Sequence, residues 1–506
     1  MEFINTRIKF LFRRKNLLNK QIINKIQRIN TKSKFSEIKK TLLPLLDTDY
    51  PPQDLCFNIR NDIINKHSVP ERAVDIKILD VFMLENKLES AKIYFKYLKS
   101  NNYPITKFIL IKYLELLSLK KTSISNLEEE EILYICDVIR KEYEYIPPSI
   151  LLIYVNALCL TSKWETVLDI IISNSEENIN VKIMSYVAAA AFRNGKANVG
   201  YEFINKIEFN CQDMYKRNQI YNQYLNYYIK HKKDQLNDAV NKMFHFWKKH
   251  DIVPLKSIID SFVDTCKQSE WEAHYVHMTF DGQCSHCKNY LSQMALKTNF
   301  NKLFKSVLSE LLIGNDIFQK TTPSEFTQFK EFIDKTKPFD IVIDGLNMVY
   351  GIFHKSVIQD IISQFVKERK KILVITREHK FNSIKWMLKF DNISIYLLKN
   401  ITDDDLYMLY ATLASGSNAR FLSVDLLRGH LNKLKDVNMR KAFTRWQLTH
   451  RYSWNHVGQK NILINPISYN PYAQINNGHW HIPYKETNKS LHTPIDTWVC
   501  LCHSRR

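Results

Sequence analysis

A chain of 506 residues exceeds what one core holds and predicts about two to four domains. Apolar residues at 45% and charged residues at 25% exclude a broadly disordered chain, and the longest apolar run, residues 149–160, is too short to cross a bilayer and contains Asn156. Lys and Arg outnumber Asp and Glu by 72 to 52, a net +20 that disfavours acidic partners and favours a polyanion such as nucleic acid, while nine scattered cysteines do not make a secreted disulfide framework.

The chain opens on a basic segment. Arg7, Lys9, Arg13, Arg14, Lys15, Lys20, Lys25 and Arg28 stand among Ile8, Phe10, Leu11, Leu17 and Leu18, and acids are absent between Glu2 and Glu37. That composition predicts a mitochondrial transit peptide over 1–45, with a basic RNA-binding arm as the competing reading. Pro44, Pro51 and Pro52 then mark a linker. Residues 66–267 carry apolar positions at helical spacing with few internal glycines or prolines, and helix starts near Leu88, Leu127, Trp164, Ala197 and Leu236 recur at steps of about 33 to 39 residues. Such a period predicts paired helices stacked into a pentatricopeptide-like α-solenoid, a fold that can line RNA along one face.

Beyond Phe339 the pattern changes. Runs at 340–343, 371–375, 393–397 and 420–424 read as buried strands separated by helices, which predicts a parallel sheet covered on both faces over 339–465. Ligands of such sheets bind at the carboxyl ends of the strands. Asp344 ends the first run and is followed by Gly345, Asp425 ends the fourth, and Asp403, Asp404 and Asp405 cap the helix that follows the third. Carboxylates gathered at one edge repel one another unless a cation neutralises them, and hard oxygen donors suit Mg²⁺, with Mn²⁺ as the alternative. A phosphodiesterase uses such a cation to activate water and to stabilise the departing oxygen.

A second constellation flanks this region. Cys284-Ser285-His286-Cys287 offers two thiolates to a zinc ion and needs two further ligands, for which His479, His481, Cys500, Cys502 and His503 are candidates. A site closed in that way would join 268–338 to 466–506 as one split, zinc-binding central domain. A redox pair is the competing reading, disfavoured because no thioredoxin-like pattern surrounds the motif.

Three motifs carry a family resemblance: Asp344-Gly345-Leu346-Asn347, then Asp404-Asp405-Leu406-Tyr407-Met408-Leu409-Tyr410-Ala411, then Val424-Asp425-Leu426-Leu427-Arg428-Gly429-His430. With Phe443, Trp446 and Gln447 downstream, they resemble the protein-only ribonuclease P family, whose nuclease domain is of the NYN, PIN-like α/β type. The sequence departs from the family pattern at Leu406 and Met408, where tryptophans are usual, and at the extra Asp403. The resemblance implies that Asp344, Asp404, Asp405 and Asp425 bind the catalytic Mg²⁺, and that Cys284, Cys287, His481 and Cys500 hold a structural Zn²⁺. It further implies removal of the 5′ leader of mitochondrial precursor tRNA in the matrix, leaving a 5′ phosphate. In animal members a tRNA methyltransferase and dehydrogenase subcomplex assists. A general RNA-decay nuclease and a non-catalytic repeat protein are the competing functions.

Overall fold

The computed structural model describes residues 36–503 apart from 49, 120–123, 144, 174–180, 211–217, 294–299, 313–322, 351–354, 400–403, 424, 426, 458–459 and 487–496. Most of the expected transit peptide, and Asp403, lie outside the described residues. The chain divides into two compact units, one of residues 1–207 with 219–227 and one of residues 208–218 with 228–506.

Short helices broken at sterically fixed points build the first unit. Ser125 starts the helix Asn126–Glu142 with a reciprocal capping box to Glu128, while Pro147 and Pro148 open Pro148–Leu158. Left-handed Ser68, Asn86 and Asn102 turn the chain after three of the helices. The consequence is a ladder in which alternate helices stack: Glu71–Leu84 packs on Lys107–Leu117, that helix on Pro148–Leu158, and that one on Val181–Arg193. This is the expected solenoid architecture. Between rungs Arg60 and Asp75 form a buried ion pair at 3.0 Å, and the Tyr94 hydroxyl donates to the same carboxylate at 2.6 Å. Gly200 leaves room for the Phe192 ring, which a Cβ there would meet at 2.8 Å.

The second unit begins with the helices Leu236–His250 and Lys256–Lys267 and holds two sheets. The smaller sheet is antiparallel, in the order β1 (Trp271–Val276), β10 (Trp498–His503), β9 (His479–Pro483) and β8 (Gln474–Asn476). Its outer strands come from opposite sides of the intervening sequence, so pairing of β1 with β10 closes the split central region. The helices anchor to it directly, Trp271 Nε1 donating to Asn237 at 3.1 Å and Trp480 Nε1 to Asn241 at 3.0 Å.

The larger sheet runs β4 (Ile393–Leu398), β3 (Ile372–Arg377), β2 (Ile341–Asp344), β5 (Arg420–Leu422), β6 (Arg451–Val457), β7 (Lys460–Ile464). The first five are parallel; the apolar runs predict β2 to β5, while β6, parallel to β5, and β7, antiparallel to β6, are additions that those runs do not signal. Alternation along the strands sorts side chains to two cores. Ile341 and Ile343 of β2 join Ile362 and Phe365 on one face, and Val342 joins Phe329, Leu409 and Trp446 on the other. The helices Phe300–Ser306 and Pro323–Thr336 contribute Leu303, Phe329 and Ile333 to this second core, so this part of 268–338 packs with the α/β domain. No helix among the described residues is long and apolar enough to cross a membrane.

Candidate metal centres

The strand order reverses at β2, with β3 on one side and β5 on the other, which opens a crevice at their carboxyl ends. Asp344 is the last residue of β2 and is 3% exposed; its Oδ2 accepts from Ser423 Oγ, beyond β5, at 3.1 Å. Gly345 follows because the chain runs close beside β3, where a Cβ would lie 2.9 Å from Val374 Cγ1 and 3.0 Å from the Ile375 carbonyl oxygen. Asp404 and Asp405 occupy the first turn of the helix Asp404–Ala414, whose dipole favours acids there, and that helix packs on β2, β3 and β5. Strand β5 ends at Leu422, earlier than the run 420–424 suggests, so Asp425 stands on the following turn, exposed, its Oδ1 accepting from the Leu427 amide at 2.8 Å.

All four acids therefore reach one edge, and each has a separate partner. Arg377 Nη2, from the tip of β3, donates to Asp404 Oδ1 at 3.1 Å, and His430 Nε2 stands 3.6 Å from Asp405 Oδ2. Burial pushes the Asp404 carboxyl above the usual carboxylate range, Arg377 opposing the shift and Asp405 adding to it. The half-buried Arg451 guanidinium, 3.4 Å from the Asp425 carbonyl, is pushed down by burial against the pull of Asp425. No three of these carboxylates come within the 4.8 Å mutual spacing that marks the thiol–imidazole group described next. The donor set, hard, anionic and partly exposed, suits Mg²⁺ or Mn²⁺.

Arg377, Ser423 and His430 are missing from the sequence-derived site. The rule that singled out Asp344, attention to strand carboxyl ends, also covers Arg377 and Ser423, while His430 lies within the Asp425 motif and approaches Asp405 only through folding.

Cys284, Cys287, His481 and Cys500 come together with one donor atom each, all within 4.8 Å of one another. Pairing of β9 with β10 sets His481 directly opposite Cys500. The Cys284 amide donates to the Asn289 carbonyl at 2.9 Å and the Lys288 amide to the Cys284 carbonyl at 3.2 Å, folding the CxxC into a knuckle over that pair. Cys287 Sγ lies 3.2 Å from His481 Nε2. Burial lowers His481 to about 4, and burial together with the neighbouring thiols raises Cys500. Free thiols and a neutral imidazole in this arrangement match a closed tetrahedral zinc set. His479 Nδ1 stands 3.8 Å from Cys500 Sγ and lies outside the group.

The sequence pattern of protein-only RNase P matches residues 278–500, which span the knuckle, the acid edge and β10. The chain is 29% identical over 287 residues to the mitochondrial ribonuclease P catalytic subunit of Rattus norvegicus, covering 53% of this chain and 49% of that protein. It is 24% identical over 253 residues to the chloroplastic/mitochondrial proteinaceous RNase P 1 of Arabidopsis thaliana, covering 47% of this chain and 42% of that protein. The chain spans about half the length of the curated relatives it matches. In fold it is similar to the crystal structure of nuclear proteinaceous RNase P 2 from A. thaliana, at a TM-score of 0.50 and 14% identity over 84% of this chain and 98% of that one. A helical repeat unit, a split sheet bearing a Cys–His cluster and an α/β domain with an acidic strand edge thus accompany a sequence match to protein-only RNase P over residues 278–500.

Proposed function

We propose that this protein is a metal-dependent endoribonuclease that removes the 5′ leader of precursor tRNA in the mitochondrial matrix. The observation that carries this reading is the convergence of Asp344, Asp404, Asp405 and Asp425 on one crevice edge, inside the segment that matches the family. Mitochondrial ribonuclease P is what the rat and mouse relatives are named for, and the basic leader composition agrees with that location.

On this reading the four aspartates hold Mg²⁺, or Mn²⁺ in its place, which when bound supplies a water of lowered pKa and neutralises charge at the scissile phosphate. Hydrolysis forms a bond from water oxygen to phosphorus and breaks the bond to the leader's 3′ oxygen, leaving a 5′ phosphate on tRNA and a 3′ hydroxyl on the leader. Arg377 and His430 orient Asp404 and Asp405. Ser423, hydrogen-bonded to Asp344 and to the Asp425 amide, ties two of the acids together. Cys284, Cys287, His481 and Cys500 hold a structural Zn²⁺ that locks the two halves of the central domain. The pentatricopeptide-like solenoid, residues 66–267, holds tRNA through phosphates and shape. The remaining parts are the split central domain, 268–338 with 466–506, and the NYN/PIN-like nuclease domain, 339–465. A tRNA methyltransferase and dehydrogenase subcomplex is the proposed protein partner.

The test is cleavage of one 5′-labelled mitochondrial precursor tRNA with and without that subcomplex, in Mg²⁺ and in EDTA. A single Mg²⁺-dependent cut at the leader junction supports the proposal. Distributed cuts in unstructured RNA point to RNA decay, and undiminished cutting in EDTA overturns the metal assignment.

A further inference from the structure

Next to the thiol–imidazole cluster lies a second group of metal-binding side chains that the proposed function leaves unused. Glu272, His274 and His286 place one donor atom each within 4.8 Å of one another, and all three side chains are exposed. Their meeting follows from the register of the small sheet. His274 on edge strand β1 is directly opposite Cys500, and Cys500 is opposite His481, so one row of residues on one face runs from the buried cluster out to the edge. Glu272 lies two residues before His274 and therefore on the same face. His286 reaches this row from the knuckle, since it sits between Cys284 and Cys287, and its ring stacks on His274 with centroids 3.8 Å apart and planes at 24°.

We infer that Glu272, His274 and His286 form a second, solvent-open site for a divalent transition metal, with Zn²⁺ as its natural occupant. Two imidazoles and one carboxylate select Zn²⁺, Co²⁺, Ni²⁺ or Cu²⁺ over Mg²⁺. Three protein ligands leave at least one position to water, unlike the closed Cys–His set. A metal about 2.1 Å from each of three tetrahedral donors needs them about 3.4 Å apart, a closure that exposed side chains reach by rotamer changes. The bound ion clamps the knuckle to the edge strand β1, adding to the buried cluster's tie between the knuckle and strands β9 and β10.

The experiment uses the full-length protein, stripped of metal and titrated with Co²⁺ in excess Mg²⁺ so that the aspartate edge stays occupied. The buried cluster reports itself through thiolate-to-cobalt charge transfer, and the proposed site binds without it. The expected result is one equivalent with charge transfer and a second without. The second is weakened at least roughly tenfold in His274→Ala, in His286→Ala and in Glu272→Gln, the lower bound for losing even an outer-shell partner of a metal site. Retention of the charge-transfer band in those variants shows that the fold and the buried site persist. Two results overturn the inference: wild-type protein that takes up only the charge-transfer equivalent, or a second equivalent that survives unchanged in the His274→Ala/His286→Ala double variant. Failure of the buried site appears separately, as absence of the charge-transfer band.

Discussion

Arg377 and Asp404 join the tip of β3 to the first turn of the helix Asp404–Ala414 through a hydrogen bond of 3.1 Å, with the guanidinium 26% and the carboxylate 13% exposed. Asp404 is thereby fixed beside Asp405 at the crevice. Loss of its charge is expected to remove function and to relieve a cost of folding.

For function, Asp404→Asn and Asp405→Asn are expected to reduce single-turnover cleavage by more than about a hundredfold, beyond the 10–100-fold that loss of an outer-shell partner costs a metal site. Precursor tRNA affinity stays within a few-fold of wild type, because the phosphate-binding surface lies elsewhere. Filter binding and cleavage on the same RNA separate the two effects. Parallel loss of both would remove these acids from the metal site.

For stability the sign is opposite. Burial holds the Asp404 carboxyl above its unfolded value, so its ionisation opposes folding. The cost is absent below the unfolded pKa of about 3.9, grows as pH rises through the folded value, and is complete above it. Asp404→Asn, measured in EDTA, is therefore expected to melt higher than wild type at neutral pH and to lose that advantage toward pH 4. Thermal melts across that range check it. A neutral-pH melting temperature below that of wild type would show that the Arg377 ion pair outweighs burial.

The Cys–His cluster makes a different prediction. Cys284→Ser is expected to lose bound zinc and to lower Tm by on the order of 5–10 °C, since a few kcal/mol shifts a domain of this size by that amount. The cleavage step itself should change little once protein is kept below its melting point. Elemental analysis and calorimetry decide it: zinc-free wild-type protein whose Tm ignores chelators would refute the assignment.

Specificity should reside in the solenoid. The helices Leu236–His250 and Lys256–Lys267 belong to the second unit, where Asp251 accepts from Arg445 and Asn237 from Trp271, so a truncation must spare them. A protein beginning at Tyr228 is expected to cut slowly and at scattered positions, to bind precursor tRNA weakly, and to show a shallower dependence of log affinity on log salt because fewer counterions are released. An unchanged salt slope with an unshifted cut site would place recognition in the nuclease domain.

The elements most legible in the sequence are those specified by local pattern. Helical periodicity and its recurrence predict the stacked helices of the first unit, and the apolar runs ending in Asp344 and near Asp425 predict β2 and β5, because a doubly covered parallel strand must be apolar throughout. Cys284-Ser285-His286-Cys287 offers two thiolates to a zinc ion by its spacing, a weak signal until two further ligands join it. The partners of that motif are another matter. His479, His481, Cys500 and Cys502 are near-equivalent in sequence, and only the family resemblance distinguishes His481 and Cys500 among them. In the structure the β9–β10 register sets that pair opposite each other under the knuckle. Arg377 and His430 likewise acquire their acids only when β3 and the Asp425 turn meet the helix Asp404–Ala414. A strand's side chains alternate with a period that sequence displays, but which strand lies beside it, and in what register, depends on contacts between residues separated along the chain.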